Sequence, residues 1–174
     1  MQEKYIISRS TPYVTFAIMN VYVAGEGYTL PCGFILKEFC VIFPNGEYNH
    51  YLFKSPEDIK LTATDEKTIR WVTRKINNIA YYDGDLFIEQ LALILYKLKD
   101  FTIFTYSPLV EKLIQNFLPT TVVINTQDMG QHLPKSLPNP HCFRQHSYRY
   151  CAKAKAIAIK DFIEREDSDS IYES

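Results

Sequence analysis

The order of strand-like and helix-like segments restricts the fold of this chain more than any single motif does. Three segments rich in β-branched and aromatic residues come first, at residues 13–23, 33–43 and 48–53. A glycine-containing turn at residues 24–28 separates the first two, and a Pro-Asn-Gly-Glu turn at residues 44–47 separates the second from the third. The three strands are therefore predicted to form a consecutive antiparallel meander, with the first strand buried on both faces.

The second half of the chain alternates between helical and strand patterns. Thr64 as a cap and the acidic residues after it favour a helix over residues 65–77. Leucine, isoleucine and phenylalanine at helical spacing predict a second, buried helix over residues 86–98. Residues 101–106 return to the pattern of a central strand.

A strand-helix-strand unit follows from that central strand. Ser107 as a cap and Pro108 in the first turn predict a helix that ends at Pro119, and residues 121–125 form a short last strand. Two strands joined through a helix in this way are expected to pair in parallel. The chain is thus predicted to be an α/β protein with a mixed sheet flanked by helices.

The last quarter of the chain combines a long loop, a helix and an acidic end. Residues 126–140 are polar and rich in proline, and a loop of about fifteen residues in a compact domain is often functional. Residues 152–162 have nearly unbroken helical propensity. Residues 164–174 are acidic and serine-rich, which predicts a flexible tail after a single domain of residues 1–163.

Composition excludes several classes of protein. The chain of 174 residues is 47% hydrophobic, which is too apolar for a disordered chain, and its net charge of -1 argues against a broad surface for nucleic acid. No signal peptide is apparent, and no apolar run reaches the roughly 18 residues of a membrane helix. We therefore expect an intracellular protein, nuclear or cytoplasmic. Its four cysteines are then expected to be free thiols or metal ligands.

Metal-binding residue types concentrate just before the last helix. Cys142, His146 and Cys151 form a Cys-x3-His-x4-Cys pattern, and thiolates with an imidazole suit a tetrahedral zinc ion. The pattern supplies three ligands, and we consider His141 or His132 for the fourth, with His141 strained beside Cys142. The alternative is that Cys151 is a small buried residue and His146 a surface residue.

The same segment carries the clearest local cluster of positive charge. Basic residues interleave there with tyrosines, a combination that can contact phosphates and stack on bases. Single-stranded RNA is thus one expected partner, although a solvated helix face is the commoner explanation. A patch around Trp71 is a second candidate surface, for a protein partner, although such residues more often belong to the core. The predicted nucleic-acid contacts are Arg144, Tyr148, Arg149, Lys153 and Lys155.

The order of elements resembles the ribonuclease-H-like fold of the DEDDh 3'-5' exonucleases. That family ends on an H-x4-D motif, and here His146 and Cys151 have this spacing with cysteine in place of the aspartate. The family's D-x-E motif corresponds to residues 17–22, which contain no carboxylate, and Glu111 is the only acid near the second motif. The resemblance therefore implies a degenerate exonuclease site without catalytic residues. Glu38 is expected to face solvent or Lys37.

A closer resemblance is to the Maelstrom domain and small arthropod proteins of its lineage. Those proteins keep this fold, lack the DEDDh carboxylates and bind zinc through a Glu-Cys-His-Cys set, whose last three members Cys142, His146 and Cys151 match in order. The resemblance implies a structural zinc ion and a role as an RNA-associated or protein-interaction module, in transposon or RNA silencing. An unconventional metal-dependent nuclease for single-stranded RNA or DNA, and a pure protein adaptor, are the alternatives.

Overall fold

The structure is a computed structural model that describes residues 19–138, 142 and 150–173. Its strands and helices follow one another in the order that the sequence pattern predicts, with five strands and four α-helices in these ranges. In chain order they are β1 Asn20–Leu30, β2 Gly33–Ile42, β3 Tyr48–Leu52, α1 Ala63–Val72, α2 Leu91–Tyr96, β4 Thr102–Thr105, α3 Pro108–Phe117, β5 Val123–Asn125 and α4 Ala152–Glu173.

The strands form one mixed sheet in the order β3-β2-β1-β4-β5. The first three strands pair antiparallel, and the pairs β1–β4 and β4–β5 are parallel. The predicted meander and the predicted parallel pair are both confirmed. An antiparallel meander extended by parallel strands on the β1 side is the ribonuclease-H-like arrangement, so the predicted fold class is confirmed as well.

Strand β1 is shifted along the chain relative to the predicted segment 13–23: residues 13–18 lie outside the described ranges, and the strand begins at Asn20 and continues to Leu30. Residues 24–28, predicted to be a turn, lie inside β1, and the turn is formed by Pro31 and Cys32 instead. Gly27 marks a bulge, because the pairing with β2 shifts between Glu26 and Gly27. A Cβ atom on Gly27 would lie 1.9 Å from the carbonyl oxygen of Ile35, so glycine is needed there for close approach of two strands rather than for a turn.

Two helices differ from their predicted extent. Thr62, not Thr64, caps α1, because its side chain accepts from the amide of Asp65 while the Asp65 carboxylate accepts from the amide of Thr62. The chain continues as a π-helical turn, Thr73–Asn77, up to the predicted end. The predicted helix over 86–98 is shorter, since a 3-10 turn at Ile88–Gln90 precedes α2.

The last two helices have the predicted starts. Ser107 accepts from the amide of Leu109 at the start of α3, with Pro108 in the first turn. Helix α4 starts at Ala152 as predicted but continues to Glu173, so residues 164–173, predicted to be a flexible tail, are helical. In the described ranges, no helix is both long and apolar enough to span a membrane.

Each face of the sheet is covered by a different set of helices. Side chains of β1 alternate, so Val21 and Val23 join the core under α2 and α3, whereas Tyr22 and Ala24 join the core under α4. Helix α4 contributes Ala152, Ala156, Ile159 and Ile163 to that second core. A third cluster, which includes Tyr28, Ile69 and Tyr81, packs α1 against the far end of the sheet.

The bulge at Gly27 makes a prediction about stability. We expect Gly27→Ala to lower the free energy of unfolding by about 3 kcal/mol, because the new methyl group meets a backbone carbonyl that cannot move without disturbing the β1–β2 pairing. Gly25→Ala is the matched comparison, since its methyl group would meet a movable Leu36 side-chain end at 2.8 Å. Urea unfolding of both variants measures the difference, and equal losses would contradict this explanation.

Candidate metal centre

The candidate site lies between β2 and the start of α4, on the sheet face that α4 covers. Strand β2 carries Glu38 there, two positions from Cys40, and both side chains are fully buried. Across the pairing with β1, Glu38 is opposite Glu26. Two carboxylates therefore point toward α4 from neighbouring strands.

The carboxylate of Glu38 has a definite set of polar neighbours. On β3, which pairs with β2, Nε2 of His50 lies 2.6 Å from Oε2 of Glu38 and donates to it. The thiol of Cys151, also fully buried, donates to the same oxygen at 3.8 Å. A buried carboxylate needs such donors or a cation, because removing its charge from water is costly.

Three potential ligand atoms converge at this point. One carboxylate oxygen of Glu38 and the sulfur atoms of Cys142 and Cys151 all lie within 4.8 Å of one another. Among the residues that the structure describes, this is the one cluster of cysteine, histidine or acidic side chains with such spacing. The three side chains could together hold a single metal ion.

The electrostatics of the cluster favour a bound cation. A hydrogen bond with Cys142, burial, and the negative charge of Glu38 all raise the pKa of the Cys151 thiol. Burial and Glu38 likewise raise the pKa of Cys40, which lies next to the cluster. A divalent cation held by the cluster would displace the thiol protons of Cys142 and Cys151 and would offset the buried negative charge.

The structure brings together part of the predicted ligand set. Cys142 and Cys151 meet as the Cys-x3-His-x4-Cys pattern predicts, whereas His146 and His141 lie outside the described residues. His132, considered as a further ligand, is exposed and lines a groove between residues 130–138 and α4. It is not part of the cluster.

Glu38 corrects the sequence prediction. It was expected to face solvent or Lys37, but it is fully buried and belongs to the cluster. Lys37 is buried elsewhere, where its ammonium donates to the backbone carbonyls of Tyr81 and Asp83 at 2.6 and 2.7 Å. Two adjacent charged residues, Lys37 and Glu38, interrupt the apolar run of β2, and this interruption is the sequence signal that could have indicated a buried partner for Glu38.

Two of the five predicted nucleic-acid contacts, Lys153 and Lys155, lie among the described residues, and both contact other side chains of the protein. Lys155 forms an ion pair with Glu26 in which both side chains are mostly buried, and the ammonium of Lys153 lies 4.0 Å from the centre of the Tyr48 ring. Arg144, Tyr148 and Arg149 lie outside the described residues. Both described lysines thus have partners within the fold, and their contact with RNA stays a prediction.

Few acidic side chains lie at the described positions that correspond to the exonuclease motifs. Asn20 is half-buried at the start of β1, and Glu111 lies in the first turn of α3, outside the cluster. Glu26 is the carboxylate that β1 contributes under α4, and Lys155 pairs with it. No protein-family model, curated protein or solved structure matches the chain, so the arrangement of these residues has to be interpreted from its own chemistry.

The cluster predicts which cysteines control metal content. We expect Cys142→Ser and Cys151→Ser proteins to contain at most about a tenth of the metal of the unaltered protein, because a hydroxyl is a poor replacement for a thiolate on a soft metal. Elemental analysis of the purified proteins measures this. Cys32→Ser is the control, since Cys32 is exposed and outside the cluster, and its metal content should not change. Equal metal content in all three variants would contradict the site.

The buried ion pair predicts an effect on stability. We expect Lys155→Met to lower the free energy of unfolding by about 3 kcal/mol, because the mostly buried Glu26 carboxylate loses its ammonium partner. Lys160→Met, which breaks the more exposed pair with Glu164, should cost about 1 kcal/mol or less. Denaturant unfolding compares the two, and the double variant Glu26→Gln/Lys155→Met should recover part of the loss. A Lys155→Met protein as stable as Lys160→Met would refute the structural role.

Proposed function

We propose that this chain is a catalytically degenerate exonuclease-fold domain that a structural zinc ion holds together and that acts by binding RNA or a protein partner. The observation that supports this proposal best is the convergence of Glu38, Cys142 and Cys151 under the start of α4. By the resemblance to DEDDh enzymes, Cys151 stands in place of the last metal-binding aspartate, but its partners in the cluster are a glutamate of β2 and a second thiol.

The geometry of the three ligands suits zinc. With Zn–S bonds of about 2.3 Å and a Zn–O bond of about 2.0 Å, a tetrahedral site has sulfur atoms about 3.8 Å apart and sulfur about 3.5 Å from oxygen. The Cys151 sulfur is 3.8 Å from the Glu38 oxygen, and the whole set fits within 4.8 Å. Small side-chain movements would therefore complete the coordination.

His146 is the residue that we propose as the fourth ligand, from its position in the Cys-x3-His-x4-Cys pattern. Together with Glu38, the set would then be the Glu-Cys-His-Cys combination of the Maelstrom resemblance, with the glutamate supplied by β2. Four protein ligands close a zinc site, and a closed site is structural because it leaves no position for water or substrate. Such an ion would tie β2 to the segment before α4, and its binding energy would contribute to folding.

The same residues disfavour two-metal phosphodiester hydrolysis. That chemistry needs several carboxylates that hold two ions about 4 Å apart, and Mg2+ prefers oxygen ligands. Here the carboxylate opposite Glu38 pairs with Lys155, and the remaining ligands of the cluster are thiols. The ammonium of Lys155 thus provides a positive partner for Glu26 within the fold.

Resemblance to the Maelstrom domain supplies the proposed setting, which is transposon or RNA silencing inside the cell. The exonuclease-like order and the shared Cys-His-Cys order support that setting. The alternative functions are an unconventional nuclease, which would cleave single-stranded RNA, and a pure protein adaptor, which would not bind it.

Metal content and cleavage are measured together on the untagged protein. We expect about one zinc ion per chain, and no cleavage of end-labelled single-stranded RNA or DNA with Mg2+ or Mn2+, because the carboxylates for two-metal catalysis are absent from the matching positions. Glu38→Gln should reduce zinc content, whereas Glu111→Gln should not. Cleavage that His146→Ala abolishes would establish the nuclease instead, and well-folded protein without zinc would refute the structural site.

A further inference from the structure

Helix α1 and the π-helical turn that continues it carry a basic face. Four cationic side chains, Lys67, Arg70, Arg74 and Lys75, are all exposed. Their spacing of three, four and one residues places them along one side of the helix. Trp71 lies among them, with 53% of its surface exposed. We call these five residues the α1 basic face.

The charge of this face is not neutralised locally. In the described part of the chain none of its four cations forms an ion pair. Asp65 is buried in the capping box, which leaves Glu66 as the exposed acid of the helix. Acidic residues instead collect on the second half of α4, where Glu164, Glu166, Asp167 and Asp169 are exposed. A chain with a net charge of -1 thus has a strongly positive region.

An aromatic cleft adjoins the basic face. Its volume is about 240 Å³, and Arg70 lines it together with Glu66, Ile69, Leu61, Tyr81 and Tyr82. Tyr82 is 60% exposed and meets the Tyr81 ring edge to face at 4.9 Å. The Tyr81 hydroxyl is buried and has no hydrogen-bond partner in the described ranges, although buried hydroxyls usually have one. A ligand in this cleft could supply that partner.

We propose that the α1 basic face and the cleft beside it bind single-stranded nucleic acid. The cations contact successive phosphates, and bases stack on the exposed rings of Trp71 and Tyr82. An acidic peptide would satisfy the cations but makes no use of two exposed flat rings. An anionic membrane would call for aliphatic side chains on the same face, and Ile69 is turned into the core.

This inference deepens the proposed function, because it names the ligand class and a surface for it. The surface is separate from the metal cluster, which lies under α4. It is also separate from Lys153 and Lys155, which the sequence indicated and which have partners within the fold. The π-helical turn is consistent with a binding role, since such turns occur often at functional sites.

The fluorescence of Trp71 reports on this surface alone, because the chain contains a single tryptophan. We expect titration with a 20-nucleotide oligouridine to quench that fluorescence, and the affinity to fall steeply between 50 and 200 mM salt. Oligothymidine of the same length distinguishes RNA from DNA as the preferred ligand. Phosphatidylserine vesicles and polyglutamate serve as the competing polyanions. Tighter binding of either competitor than of both oligonucleotides would overturn the proposal.

A pair of matched variants tests the residues. Arg70→Gln/Arg74→Gln should weaken oligouridine binding at least about tenfold and reduce the slope of log affinity against log salt by about 1.4, because two phosphate contacts are lost. Lys97→Gln/Lys112→Gln removes the same charge from exposed positions elsewhere and should change neither quantity. Trp71→Ala, followed by fluorescence anisotropy of labelled RNA, should weaken binding about tenfold.

Measurement of metal content distinguishes a failure of the proposed nucleic-acid surface from a failure of the proposed zinc site. Each variant should fold and contain the same zinc as the unaltered protein, because no residue of the basic face contacts the cluster. Equal weakening by both double variants would show a nonspecific charge effect and overturn the site. Absence of oligonucleotide binding by zinc-loaded protein would overturn this inference and leave the zinc-stabilised domain with a protein partner.

Discussion

The buried carboxylate of Glu38 is the constraint on which the arrangement around α4 depends. Its side chain is fully excluded from solvent in the middle of a strand whose other residues, apart from Lys37, are apolar. Such a charge is tolerated only with close donors or a cation, and removing its partners costs several times the net value of an ordinary hydrogen bond. His50 and Cys151 supply two of those contacts, from the neighbouring strand and from the helix start.

The position of α4 follows from this requirement together with its small residues. Ala152 and Ala156 face the sheet, and their short side chains let the helix axis approach closely enough for Cys151 to reach β2. Lys155 lies on the same side of the helix and reaches Glu26 on β1. The start of α4 thus supplies a partner to each of two carboxylates on adjacent strands. Lys155 pairs with Glu26, and the thiol of Cys151 donates to Glu38.

The sequence indicated the architecture better than it indicated the site. Strands β2 and β5 and helix α3 carry their own local signals, namely β-branched runs and a Ser-Pro start, and each end was predicted to within two residues. Gly25 and Gly27 were wrongly assigned to a turn. The sequence alone does not distinguish a glycine required by the close approach of two strands from a glycine required by a turn. The distinction depends on Ile35, a residue of the partner strand.

The candidate metal site was harder to predict from the sequence than the strands were. Cys142 and Cys151 are close in sequence, so their spacing could be interpreted as a ligand pattern. Glu38 is separated from Cys151 by 113 positions, and only the pairing of β2 within the sheet and the packing of α4 bring the two together. A charge in an apolar strand signals that some partner exists, but not which one, because local sequence carries no information about contacts at that distance.

The candidate metal site under α4 and the exposed surface of α1 differ in what each could contribute to the protein. A site under α4 in which Glu38 and Cys151 are fully buried and Cys142 is half-buried can stabilise the fold, but it offers little surface to a large partner. The exposed Trp71 and the cations around it have the opposite character, since they contribute little to the core and remain in solvent. Binding is therefore proposed on the α1 surface, which is remote from that site.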